Sequence, residues 1–395
     1  MTFRSLRFAL LPPLLMFMAV TCQKDPESLK INVPKPPTTI ADFDLVTNIL
    51  TGDSVSVSWT APWDPNGLPV TFDISLNDQA IVQGKATTGV NLGGLQARTS
   101  YKLKVTAKDS LGKSTVSRLD FTTPAQGGKF IRLRTACESH LREYGYYLPS
   151  GIAGTNPPLV VYLHGAGGIA WPELVGKGFA DIAEREKFIL AMPQALKGTI
   201  SGETVIQWNA HDALAWDDAL FINGMIDTLI SKYNINSKKL YVSGMSNGGF
   251  MTFYMAGRTG RFAAIAPMSG LFSYNIFNTF TTDWPMPLVY IHGTADSIVR
   301  YNGGQGGISV DDVMNFWILH NGCDTVPVIT NLPDINPYDG STVTLYDYSG
   351  QWPRTEIRLY RINGGGHSVA GYEPGSNQDI KSFEVIWSFF KTKSL

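Results

Sequence analysis

Two hydrophobic periodicities divide the chain. Over residues 37–124 apolar and polar positions alternate in short runs: Ser54-Val55-Ser56-Val57-Ser58-Trp59, Val70-Thr71-Phe72-Asp73-Ile74-Ser75-Leu76 and Tyr101-Lys102-Leu103-Lys104-Val105-Thr106-Ala107. A period of two puts one face of a strand in a core and the other in water. Pro62, Pro65-Asn66-Gly67, Asn77-Asp78 and Asp109-Ser110 punctuate the runs as turns. About ninety residues of this kind predict a β-sandwich. Ala125-Gln126-Gly127-Gly128 reads as a linker, and beyond it the pattern changes. Runs such as 158–163 and 287–291 are apolar without alternation, as strands buried on both faces are. Strands are predicted at 129–135, 142–148, 158–163, 188–192, 239–243, 262–267, 287–292 and 355–362. Helices are predicted at about 176–187, 213–233, 247–258, 309–320 and 378–392. That alternation demands an α/β fold over residues 129–395, a doubly wound and mostly parallel sheet with helices on both faces.

The N-terminus follows neither pattern. Arg4 and Arg7 precede an apolar stretch at 8–20 that ends in Ala19-Val20-Thr21-Cys22. This has the form of a bacterial lipoprotein signal over residues 1–21. Cys22 is then the expected lipidated residue, residues 22–36 a tether, and the outer membrane at the cell surface the expected location. Ordinary secretion is the alternative. In such a compartment Cys137 and Cys323 are the pair left to form a disulfide.

Composition narrows the classes. With 44% hydrophobic and 16% charged residues over 395 positions, the chain can bury a large core. A net charge of −1 without a basic stripe argues against nucleic acid. No His, Cys and carboxylate cluster has metal spacing and no glycine loop has phosphate-binding form, so neither metal nor cofactor is expected.

The chemistry centres on Gly244-Met245-Ser246-Asn247-Gly248, directly after an apolar run and ahead of a predicted helix. Strand, G-x-S-x-G and helix together make a nucleophile elbow, with Ser246 as nucleophile. His292-Gly293-Thr294-Ala295-Asp296 puts Asp296 just past a strand end, and Gly364-Gly365-Gly366-His367 does the same for His367. Serine, acid and histidine in that chain order match the α/β-hydrolase arrangement. Of the six histidines, only His367 lies on a glycine-flanked loop late in the chain. An oxyanion hole is expected from the loop His164-Gly165-Ala166-Gly167-Gly168, by way of Gly165, Ala166 or Gly167, together with the N–H of Asn247.

From about Arg134 to the C-terminus the chain resembles the poly(3-hydroxybutyrate) depolymerase-like esterases. That group overlaps carbohydrate esterase family 1, with its feruloyl and acetylxylan esterases. The matching pieces are Leu163 to Gly168, Trp208-Asn209, Asp217-Asp218, Gly244 to Gly249, Ile291 to Asp296, Asn321-Gly322-Cys323 and Gly364 to His367. The resemblance implies a secreted serine carboxylic-ester hydrolase working through an acyl-enzyme. After the histidine many relatives carry Thr-Trp-Pro-Gly, where this chain has Ser368-Val369-Ala370-Gly371. The acyl specificity therefore does not carry over. Trp208, Asn209, Trp216 and Trp284 lie near predicted loops and are expected to line the acyl site. Residues 37–124 resemble a fibronectin type III domain, through Trp59, Leu95 six positions before Tyr101, and Phe121-Thr122-Thr123-Pro124. The expected substrate is acylated plant-wall polysaccharide. A polyester depolymerase is the alternative, and an inert surface carbohydrate-binding protein the alternative of another class.

Overall fold

The computed structural model describes residues 39–395 apart from 126, 171–177, 201, 281–282, 305 and 349–354. The expected signal sequence over residues 1–21, Cys22 and the expected tether lie outside the described residues.

The first seven strands are β1 (Leu45–Thr51), β2 (Ser54–Trp59), β3 (Thr71–Leu76), β4 (Gln79–Lys85), β5 (Gly89–Gly93), β6 (Ser100–Lys108) and β7 (Ser114–Thr122). They form two sheets, β1-β2-β5 facing β4-β3-β6-β7. The alternation decides which side chains meet between them: Val55, Val57 and Trp59 from β2 against Phe72, Ile74, Leu103 and Val105. Tyr101 Oη accepts the Gln96 N–H at 2.8 Å, the corner that closes many such sandwiches.

Twelve strands follow: β8 (Lys129–Cys137), β9 (His140–Leu148), β10 (Leu159–Leu163), β11 (Ile189–Pro193), β12 (Lys197–Ile200), β13 (Glu203–Ile206), β14 (Leu240–Met245), β15 (Ala264–Met268), β16 (Leu288–Gly293), β17 (Val328–Asn331), β18 (Thr342–Tyr348) and β19 (Ile357–Asn363). The helices among them are α1 (Phe179–Glu186), α2 (Asp218–Tyr233), α3 (Asn247–Arg258), α4 (Tyr274–Thr279), α5 (Val310–Asn321) and α6 (Ser382–Phe390). β11, β10, β14, β15, β16 and β19 run parallel in that order. Every residue of β10, β11, β15 and β16 is buried, because helices cover both faces. α1 and α6 cover one face, where the rings of Phe179 and Phe383 stack at 4.4 Å. α2, α3 and α5 cover the other through Phe221, Met225, Phe253 and Trp317.

Antiparallel strands extend the sheet on both sides, β9 and β8 on one and β18 and β17 on the other. β8 also pairs with β1 of the sandwich, with Ile49 opposite Ile131 and Leu50 opposite Phe130. The sandwich sheet and the parallel sheet are thus one 13-stranded sheet. Neither the hairpin β12–β13 nor the hairpin β17–β18 was foreseeable from hydrophobic pattern. β17 is exposed at all its positions, so no apolar period marks it.

Candidate active site

β10, β14, β16 and β19 end at one edge of the parallel sheet, and each leads into one of the glycine-rich loops. Crevices at the carboxyl ends of parallel strands are where such folds place ligands. Ser246 sits between β14 and α3 with φ 57° and ψ −122°. That conformation is strained for a residue with a Cβ and persists only where its surroundings enforce it. Here Ser246 N–H donates to Met268 O, while Ser246 O accepts from Gly249 and Phe250. A Cβ on Gly248 would lie 2.0 Å from Leu163 O, and one on Gly244 would lie 2.4 Å from Gly248 O. Only glycine lets the strand, the turn and the helix close this tightly.

His367 and Ser246 line the same cleft. His367 Nδ1 donates to Asp296 Oδ2 at 2.7 Å, which leaves Nε2 as the free base nitrogen. Asp296 is buried, and its Oδ1 accepts the N–H groups of Ile298 and Val299 at 2.9 and 2.8 Å. Burial opposes its ionisation, but the bonds from His367 and Val299 win and hold the carboxyl below its ordinary value. The three residues singled out from sequence therefore converge as a serine beside a histidine oriented by a carboxylate.

The loop after β10 is fixed by a histidine the sequence reading did not assign. His164 Nε2 accepts from Ala195 N at 3.1 Å and faces the Gln194 amide at 3.0 Å. Its proton is therefore on Nδ1, which donates to Gly165 O at 2.7 Å. Burial pushes His164 down to about 4, against that bond to Gly165 O, so the ring stays neutral. Gly165 O also accepts the Gly168 N–H, and Gly167 N–H is spent on Ile206 O at 2.7 Å. The 165–166 peptide is trans, so a carbonyl held this way turns the Ala166 N–H to the opposite side. Ala166 lines the cleft, and Asn247 opens α3, where backbone N–H groups have no helical partner. Nothing in the sequence beyond its place at a strand end marks Gln194.

The tryptophans correct the expectation about the acyl site. Trp208 is fully buried against the loops that follow β10 and β14. Its Nε1 donates to His164 O at 2.9 Å, and its backbone N–H donates to Asn247 Oδ1 at 2.6 Å. It braces the two loops and presents no ring to a ligand. Asn209 is likewise buried, its side chain spent on the backbone of residues 213, 214 and 216. Trp216 packs beside His140 and donates to Asp218, outside the cleft lining. Trp284 precedes β16 and so lies at the amino end of a strand whose carboxyl end carries Asp296. The acidic pair also differs from a simple first-turn pair. Asp217 caps α2 by accepting from Ala219 and Leu220 N–H, whereas Asp218 is buried against Arg142. Cys137 and Cys323 are free thiols; Cys323 Sγ donates instead to Thr355 O. The serine cleft itself is small, about 220 Å³, and its walls include Gly165, Ala166, Ile169, Met245 and Val369.

The chain is similar to known proteins over both of its parts. Residues 142–283 match the family model described as "Esterase PHB depolymerase", and residues 36–119 match that of the fibronectin type III domain. The chain is 27% identical to the bifunctional acetylxylan esterase/xylanase XynS20E of Neocallimastix patriciarum, over 62% of this chain and 33% of that protein. It is 26% identical to feruloyl esterase B of Piromyces equi, over 62% of this chain and 44% of that one. With poly(3-hydroxyalkanoate) depolymerase C of Paucimonas lemoignei identity is 32%, over 58% of this chain and 59% of the relative. The chain thus spans a third to less than two thirds of the length of these relatives.

Proposed function

We propose, from the match of residues 142–283 to the family model described as "Esterase PHB depolymerase", that this chain is a serine carboxylic-ester hydrolase that deacylates polysaccharide at the cell surface. The observation that carries the reading is the strained Ser246 sharing a cleft with His367, whose Nδ1 is held by Asp296. Ser246 Oγ attacks the ester carbonyl carbon as its proton passes to His367 Nε2. The oxyanion that forms is met by the N–H groups of Ala166 and Asn247. His367 then returns the proton to the departing alcohol oxygen, leaving an acyl-enzyme. A water molecule gives a proton to His367 and attacks the acyl carbon; His367 then hands that proton to Ser246 Oγ as the acid departs.

A cleft of about 220 Å³ around the serine favours a short acyl group, and Trp208, being buried, offers no ring to a feruloyl group. Acetyl esters of polysaccharide rank first on these grounds, ahead of feruloyl esters and of poly(3-hydroxybutyrate). A panel of acetylated xylan, methyl ferulate and poly(3-hydroxybutyrate) film tests the order. Acetate release should be fastest, and Ser246→Ala should cut kcat on it by on the order of 10³-fold without unfolding the protein. Faster turnover of methyl ferulate or clearing of the film would reverse the substrate order. Activity retained by Ser246→Ala would remove the nucleophile assignment. Anchoring through a lipid on Cys22 is part of the same proposal; a detergent-phase protein that becomes aqueous on Cys22→Ser supports it.

A further inference from the structure

Beyond the serine, the loop that carries His367 runs on to a second, open cleft. The loop between β17 and β18 forms its far wall. That loop is anchored from below: Asp379, buried, accepts the N–H of Ile335 at 2.7 Å and binds Asn377 Nδ2 at 3.0 Å. Asp339 Oδ2 accepts the Gln378 N–H at 2.8 Å, and Asn377 Nδ2 also reaches Ser341 Oγ at 3.0 Å. These bonds clamp the 335–341 loop to the 371–379 segment. On the clamped loop Tyr338 is 95% exposed. An aromatic ring this bare, on a loop this well tied, contributes nothing to the core. It stands at a cleft of about 790 Å³ whose walls also include Asn336, Asp339, Glu373 and Gln378. Glu373 lines both this cleft and the cleft of Ser246, so the two are neighbours.

We infer that this second cleft is a subsite for the sugar backbone of the substrate polymer, with Tyr338 as the stacking platform. The inference rests on the polysaccharide reading given above for the serine cleft. Sugar rings present flat C–H faces to an aromatic ring and hydroxyls to amides and carboxylates at its side. Gln378 Nε2 is held by Ser376 O at 2.8 Å, which fixes the amide and leaves its oxygen to accept. The wall residues include two carboxylates and no Lys or Arg. A neutral chain is therefore favoured over a uronate-rich one, and an aliphatic polyester has no hydroxyls to donate to the Gln378 oxygen.

Titration of the full chain with xylohexaose, which carries no ester, reads the subsite without catalysis. Tyr338→Ala should weaken that binding about three- to tenfold, and Tyr338→Phe should keep most of it. On acetylated xylan Tyr338→Ala should raise KM by a similar factor at unchanged kcat, with p-nitrophenyl acetate turnover unaltered. Because Tyr338 packs against so little, its truncation leaves the fold intact. Equal binding and equal KM in native and Tyr338→Ala protein would overturn the subsite. So would parallel losses on polymer and small ester, or tighter binding of an oligogalacturonate than of xylohexaose. A chain that binds xylohexaose through Tyr338 yet hydrolyses none of the esters would leave the subsite standing and remove the catalytic reading.

Discussion

At the scale of single residues, the site is held by bases that the fold keeps uncharged. His164 and His292 are buried, and burial pushes each down to about 4. His292 Nε2 faces Val299 O at 2.8 Å, behind Asp296. In the unfolded chain both titrate near 6.5. The unfolded state therefore takes up protons first as pH falls. The stability that depends on the neutral rings is complete above about 6.5 and shrinks as pH drops toward 4, by about 2 kcal/mol for each ring at pH 5. Urea midpoints measured at pH 7.5 and pH 5 should show the loss, and an unchanged midpoint at pH 5 would contradict it. The loop after β10 is legible in the sequence only in outline. His164 announced a glycine loop, but its partners Gln194 and Ala195 lie on another strand end, some thirty positions away.

At the scale of elements, β9 and α2 are pinned by one buried ion pair. Arg142 and Asp218 are both almost inaccessible, and Arg142 also lies over the Phe221 ring at 4.0 Å. Asp218 Oδ2 takes the Asn209 N–H at 2.7 Å, which ties in the loop that carries Trp208. Removing one partner strands a buried charge, so Asp218→Leu should cost about 3–5 kcal/mol. Arg142→Met combined with Asp218→Leu should be less damaging than Asp218→Leu alone, since the stranded guanidinium is gone. A double-mutant cycle by urea denaturation decides this, and additive losses would refute the coupling. In sequence Asp218 was legible as a helix-start carboxylate. Its partner was not, because a buried pair between a strand and a helix leaves no local period.

At the scale of the molecule, the fibronectin-like module is joined edge to edge to the α/β part. β1 covers the free side of β8, and Phe130 in that rung is 1% exposed. A chain beginning at Lys129 would bare an unpaired strand and that ring. It should unfold at lower temperature than the full chain or self-associate, as thermal melts and size-exclusion chromatography can read; a monodisperse fragment with the full chain's melting temperature would refute it. The sequence by itself determined what local periodicity and steric exclusion control. Alternation set the inward faces of β2, β3 and β6, unbroken apolar runs set the parallel strands, and the glycines around Ser246 set an elbow that admits no Cβ. Chain order and strand ends then brought Ser246, Asp296 and His367 to one sheet edge. Tertiary structure alone decided what lies between elements. It buried Trp208 out of reach of the acyl site it was expected to line, sent Trp284 to the far end of the sheet, and left Cys137 and Cys323 as free thiols. It also clamped Tyr338 into the open, because exposure is a property of the whole packed chain and not of any window along it.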